Sequence, residues 1–366
     1  MRNAGIDRIR IAMTVLVILH HTAITYGGAG GWFWRQEPDS SNLVLVLFNA
    51  INQSYFMGFF FLIAGYFTPP ARARKGTAQF AFDRGVRLGV PLVLFSLVLH
   101  PLTVAIARTS DGEPVLAGWL RAVAERDFAP GPLWFAEALL LFTALYLAGC
   151  MAVRHAPYLA AVLAPIRRWP TGYILLLAAV AVGTTSFATR LVFPVGQQFL
   201  WLQLGYFPGY VVLFFIGCAA ATGQRLETIG SDEAMPWLLA TIIGLISLPA
   251  VVLLRRGMGA FEGGWNLNAL FYAFWEPLVA WGIILGLLWR ARTRWKEATP
   301  LSSELSASAF GAYILHAPIL VALSVAARPW DLLPFAKFLL VGALASIAGF
   351  LAAAVLRRVP GVSSIV

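Results

Sequence analysis

The chain is short of charge. Only 12% of its 366 residues are Asp, Glu, Lys or Arg, about half the share usual in a soluble globular domain, while 59% are hydrophobic and the mean hydropathy is +0.76. That deficit excludes water as the main solvent. Cysteine is scarcer still: Cys150 and Cys218 are the two in the chain, both inside or at the end of apolar segments. A disulfide framework and a zinc-type cysteine spacing are thereby excluded, and both thiols read as small core residues. A Gly-rich phosphate loop between strand and helix, a G-x-S-x-G elbow and an H-E-x-x-H pair are all missing, which excludes the common soluble-enzyme sites, a metal site among them. The formal charge of +10 is dispersed over short loops, a pattern that argues against nucleic acid as a partner.

Long apolar runs are what the chain does have. Ten stretches near the bilayer-spanning length of about 20 residues fall at 9–26, 42–67, 86–107, 133–153, 171–193, 206–222, 236–254, 267–289, 307–326 and 335–356. The expected fold is therefore an all-α polytopic membrane protein of about ten transmembrane helices. Connections are short, so residues 1–366 read as a single integral-membrane domain. The first run lacks the small-residue cleavage pattern of a signal peptide and reads as retained.

With ten spans and the N-terminus inside, Arg2, Arg8, Arg10, Arg72, Arg74, Lys75, Arg84, Arg87, Arg154, Arg167, Arg168, Arg225, Arg290, Arg292, Arg294, Lys296, Arg357 and Arg358 fall on one side. These are 18 of the 27 Lys and Arg, a bias that predicts both termini in the cytoplasm.

Polar groups at membrane depth carry the functional signal. In the first run Arg10 and His21 stand eleven positions apart, which at about 100° per residue returns the helix to within about 20° of the same face, about 16 Å along the axis. His20 points about 80° away from Arg10, so the adjacent histidines are not equivalent. An ionisable residue in a bilayer segment is costly enough to mark function. His100, Glu137, Glu276 and His316 lie in later spans, and five such groups are tolerable if they line a shared polar cavity. Trp32, Trp34, Trp134, Trp265 and Trp289 fall near span ends, where an aromatic belt is expected.

At this point the chain resembles acyltransferase family 3, integral-membrane acyltransferases of glycans, lipids and antibiotics. The family's Arg-x10-His signature matches Arg10 and His21. Its aromatic-rich second span, ending in a small-G-Y-F turn, is similar to the segment from Phe59 to Phe67, followed by a basic loop with Arg84 and Arg87. Its L-W-F segment resembles Leu133-Trp134-Phe135, and its late S-Y-x-x-Y-x-x-H-x-P segment resembles 309–318, with Ala309-Phe310 in place of the usual serine-tyrosine and with Tyr313, His316 and Pro318 retained.

The resemblance implies transfer of an acyl group from a cytoplasmic acyl-CoA co-substrate to an acceptor hydroxyl of a glycan, lipid-linked sugar or small molecule, in a cell membrane, bacterial inner membrane being the expected one. No permanently bound cofactor is implied. Arg10, Arg84 and Arg87 are candidates for the CoA phosphates; Arg72, Arg74 and Lys75 fit topology better. His21 suits proton removal from a hydroxyl or covalent acyl capture, and the sequence leaves both open. Arg10 and His316 are the further catalytic candidates, His316 to orient the acceptor or stabilise the oxyanion. Tyr313 is a hydroxyl donor one turn away, and Trp134, Glu137 and Glu276 are candidate acceptor contacts. The competing reading is a proton-coupled secondary transporter or flippase using the same His and Glu residues; it leaves the motif order unexplained.

Overall fold

The computed structural model describes residues 3–36, 41–156, 158, 172–254 and 260–362. Arg2, Arg167 and Arg168 of the basic side lie outside them. Among the described residues twelve α-helices and no named strand occur: α1 (Ala4–Thr25), α2 (Leu43–Lys75), α3 (Thr77–Leu94), α4 (His100–Arg108), α5 (Val115–Ala124), α6 (Trp134–His155), α7 (Tyr173–Arg190), α8 (Phe207–Ala220), α9 (Ser231–Leu254), α10 (Leu267–Arg294), α11 (Pro300–Ala326) and α12 (Pro334–Leu356). Hydrocarbon supplies no hydrogen bonds to a bare backbone, so runs of this length close their own ladders as helices.

Nine helical segments among the described residues are long and apolar enough to cross a membrane. The run expected at 206–222 forms the shorter apolar helix of Leu204–Ala220 instead, because Pro208 fixes its first turn and turns follow Ala220. The protein is an all-α multi-pass membrane protein. Large apolar side chains such as Ile243 (70% exposed) and Leu254 (81%) stand on the outside of α9, where lipid is as good a solvent as a core.

The chain forms two compact units. One is built from Gln53–Asp83 and Ala138–Glu297 with the first residues of α1. There α2 and α8 touch backbone to backbone: a Cβ on Gly65 would stand 2.0 Å from the Phe214 carbonyl oxygen, and one on Gly217 would stand 2.1 Å from that of Leu62. Small residues at such crossings are how membrane helices approach closely.

The other unit is built from Asp7–Asn52, Arg84–Glu137 and Ala298–Val366. Its core joins α1, the start of α2, α11 and α12 through Ile18, Leu45, Leu320, Phe338 and Val341. Between α3 and α4 the helix widens into a π segment, Phe95–Leu99, whose closing bond runs from the His100 N–H to the Phe95 carbonyl. Pro101 follows directly and has no N–H to continue an α ladder, so the widening sits where the α pattern cannot persist. It sets His100 at the junction.

The Gly65–Gly217 contact yields a prediction. Gly65→Val forces a side chain against a carbonyl that no rotamer change can move, so destabilisation of about 3 kcal/mol, the upper end for overpacking, is expected. Thermal unfolding in detergent checks it, with Gly85→Val, where an added Cβ meets nothing within 4 Å, as the control.

Candidate active site

The two adjacent histidines enter different surroundings. His20 is buried against α2: the Asn52 amide lies 3.4 Å from its Nδ1, and the same amide donates to the Leu16 carbonyl at 3.2 Å. The Asn49 amide donates to the His20 carbonyl at 3.0 Å. An amide N–H only donates, so His20 Nδ1 is the accepting nitrogen, and this histidine stitches α1 to α2.

His21 faces the loop that follows α1. Trp32 stacks on it with ring centroids 3.9 Å apart and planes 16° from parallel, and the His316 ring lies 5.4 Å away at 21°. His316 is fully buried. Its Nδ1 lies 2.5 Å from the Tyr313 carbonyl oxygen, and a carbonyl only accepts, so the ring proton sits on Nδ1 and Nε2 carries the lone pair. That Nε2 and the Nδ1 of His21 are buried with no hydrogen-bond partner among the described residues. Two parallel imidazoles with nitrogens uncommitted can accept and hand on a proton.

The loop is held down by the backbone. Gly28 N–H bonds the Ala23 carbonyl at 2.7 Å, Gln36 N–H the Thr25 carbonyl at 3.0 Å, and Asn42 N–H the Gly27 carbonyl at 2.8 Å. Gly28 has no alternative, since a Cβ there would stand 2.0 Å from the Asn49 side chain. Lys337 of α12, 2% exposed, completes the fastening: its ammonium donates to Gln36 Oε1 at 3.0 Å and to the Arg328 carbonyl at 3.2 Å.

From Trp32 the contacts continue to Phe33 (5.2 Å, edge-on), and from Phe33 to His100 (5.2 Å). His100 Nε2 meets Asp127 Oδ1 at 3.2 Å. Asp127 arrives there because α5 closes with Arg126 at φ 57° and with the Asp127 N–H on the Ala122 carbonyl at 2.9 Å, a left-handed helix stop.

The sequence candidates distribute unevenly. His21, His316 and His100 join one line of rings through Trp32 and Phe33. Arg10 lies three turns before His21, half-buried, with Nη1 3.5 Å from Asp7 Oδ1; the same Asp7 oxygen accepts from Ser306 Oγ at 2.7 Å. On α3, Arg84 is half-buried and Arg87 exposed. Trp134 and Glu137 open α6, both half-buried. Tyr313 is buried beside His316, with centroids 5.7 Å apart, but its hydroxyl donates to the Pro132 carbonyl. In this state its proton holds the turn that leads into Trp134 and is not offered to a reacting oxygen. Glu276 belongs to the other unit, where it pairs with Arg190.

Sequence reasoning missed Trp32, Asp127, Lys337 and Arg190. A lysine inside the last apolar run was a usable signal. Trp32 looked like any belt tryptophan, and only the glycines at 27–28 hinted that the chain turns back.

Replacing Lys337 with Met removes two hydrogen bonds from a charged donor, worth about 1.5–3 kcal/mol each, at a site where the helix itself tolerates the apolar side chain. Residues 27–36 are expected to lose at least about tenfold in hydrogen-exchange protection, while α12 keeps its own. Unchanged exchange in the loop would mean the lysine does not fasten it.

Against known proteins, a family model described as an acyltransferase domain matches residues 3–358. No curated protein matches significantly, and no solved structure does. The match takes in both units and runs from the helix bearing Arg10 and His21 past the one bearing Tyr313 and His316, which is nearly the whole chain; this protein belongs to acyltransferase family 3 and is an integral-membrane acyltransferase.

Proposed function

We propose that this acyltransferase moves a small acyl group, acetyl being the simplest, from cytoplasmic acyl-CoA to a hydroxyl of a glycan, lipid-linked sugar or small-molecule acceptor at or across the membrane. The observation that carries the reading is the stacked pair His21 and His316, each with an unpartnered buried nitrogen, in a chain of this family. Both termini face the cytoplasm in this reading, in a bacterial inner membrane, and no cofactor is held between turnovers.

An alcohol is a poor nucleophile until its proton is drawn away, and neutral imidazole is the side chain suited to that. His21 takes the proton of the acceptor hydroxyl as its oxygen attacks the thioester carbonyl carbon. The tetrahedral intermediate collapses with cleavage of the carbon–sulfur bond, and the CoA sulfur leaves with the proton that His21 carries, giving ester and thiol. His316 presents only an accepting nitrogen, its own ring proton being donated to the Tyr313 carbonyl, so it orients the acceptor by accepting from a neighbouring hydroxyl while His21 takes the proton of the reacting one. Arg10, Arg84 and Arg87 hold the phosphates of CoA. Trp134 and Glu137 contact the acceptor.

His21→Ala is expected to lower transfer by about a hundred- to ten-thousand-fold, the usual contribution of a general base, in a protein that inserts and folds. His20→Ala costs mainly stability, since it removes the stitch to Asn52, and its rate per folded molecule stays within about tenfold of the original by the same scale. Because the base must be neutral to accept a proton, activity falls as the pH is lowered far enough to protonate it. Acyl transfer by both variants in matched liposomes across pH checks all three points; equal losses in the two variants remove His21 from the role.

Purified protein is also expected to bind a short acyl-CoA in a salt-sensitive way, because phosphate–arginine contacts at an exposed face are screened. Arg10→Ala should raise the KM for the donor at least about tenfold, one to two charge-assisted bonds' worth, with the melting temperature little changed. An acyl-CoA that neither binds nor protects the protein against unfolding contradicts the donor assignment.

A further inference from the structure

Arg190 and Glu276 are a second polar centre, contained in the unit that lacks His21. Arg190 is the last residue of α7 and 1% exposed. Its Nε donates to the Gly205 carbonyl at 3.0 Å, its Nη2 pairs with Glu276 Oε2, and the guanidinium lies over the rings of Tyr206 (5.2 Å) and Tyr272 (5.4 Å). Nη1 is buried and has no hydrogen-bond partner among the described residues. A strut between α7 and α10 would need neither the empty donor nor open space beside it. Both are present: an open-mouthed cavity of about 40 Å³, room for the edge of a ring and not for a whole oligosaccharide, is bounded by the ion pair together with Gln53, Tyr206, Tyr210 and Trp281.

We propose that this cavity is a binding site for an uncharged polyhydroxyl group, the edge of a sugar ring. The pair is neutral as a whole, so an anion drawn to Arg190 is repelled by Glu276 and a cation meets the reverse. A hydroxyl satisfies both, accepting from Nη1 and donating to the carboxylate, which retains lone pairs beyond those used by Arg190. Neighbouring hydroxyls on one ring extend the same pattern to the Gln53 amide. Tyr210 and Trp281 add aromatic ring surface to the wall, against which the carbon side of a sugar packs. Free and lipid-linked glycosides share this chemistry. That the bound sugar is the acyl acceptor rests on the function proposed above; that the site binds sugar does not.

The test is binding, measured by saturation-transfer NMR and titration on the full chain in nanodiscs. The probes are hexyl and methyl glycosides of glucose, galactose and N-acetylglucosamine, with a hexyl ethylene-glycol ether as the control that keeps the tail and lacks the ring. At least one hexyl glycoside is expected to bind at least tenfold more tightly than the ether. Gly209 lines the cavity on α8 and has room for a Cβ, whose one near neighbour is Val182 Cγ1 at 3.7 Å, so Gly209→Leu puts its side chain into the cavity; it should weaken that binding at least tenfold, and Glu276→Gln should do the same. Should Gly209→Leu not fold, Gly209→Ala, expected to weaken binding several-fold, decides instead. A methyl glycoside that binds as tightly as the hexyl one assigns a soluble sugar, and a large preference for the hexyl form assigns a lipid-linked one. The proposal is overturned if no glycoside binds, if the ether binds equally, or if the Gly209 variant that folds binds like the original. His21→Ala should bind normally, which separates the site from the reaction: an original, unmutated protein that binds glycoside but transfers no acyl group from acyl-CoA to any acceptor counts against the proposed reaction and leaves this site standing.

Discussion

Hydrocarbon returns no hydrogen bonds, so each polar side chain carried into it must find its partner within the chain. The structure depends on how that constraint is met. His20 meets it with the Asn52 amide of the next helix, Asn49 binding its backbone carbonyl beside it, and becomes a stitch. Lys337 meets it with a glutamine side chain and a backbone carbonyl, and fastens a loop. Arg190 and Glu276 meet it with each other. His21 and His316 meet it incompletely, each keeping one buried nitrogen without a hydrogen-bond partner among the described residues.

The cost of such shortfalls explains the rigid surroundings. A buried acceptor without a partner costs roughly 1–3 kcal/mol, and it survives only where the neighbourhood is over-determined. Around the histidine pair that means an indole stacked at 3.9 Å, three backbone bonds closing the loop and a buried lysine behind it. Tyr313 adds to this frame from the other side, fixing the Pro132 turn through its hydroxyl. The departure from the family pattern at Ala309-Phe310 leaves the Phe310 ring beside Tyr313, centroids 6.4 Å apart, as packing alone.

Much of this was legible in the residues. Span length and apolarity located the membrane helices because both follow from bilayer thickness, and the eleven-residue step from Arg10 separated His21 from His20 because helical phase is a local property. What stayed hidden is non-local. Glu276 reads as an isolated acid until Arg190, 86 residues earlier, is brought against it, and no periodicity encodes that meeting. Asp127 reads as a loop acid until a left-handed residue at Arg126 turns it back. The run at 206–222 looked like any other span, yet proline and turn residues shorten its helix.

The fastening of the loop has a consequence for biosynthesis. Gln36 precedes by 301 positions Lys337, which lies in the last of the described helices. A chain emerging from its N-terminus therefore carries His21 and Trp32 before the clasp that fastens their loop exists. The loop is fixed only once Lys337 has been made, so a nascent chain that stops short of it holds both rings without the hydrogen bond that Lys337 gives to Gln36.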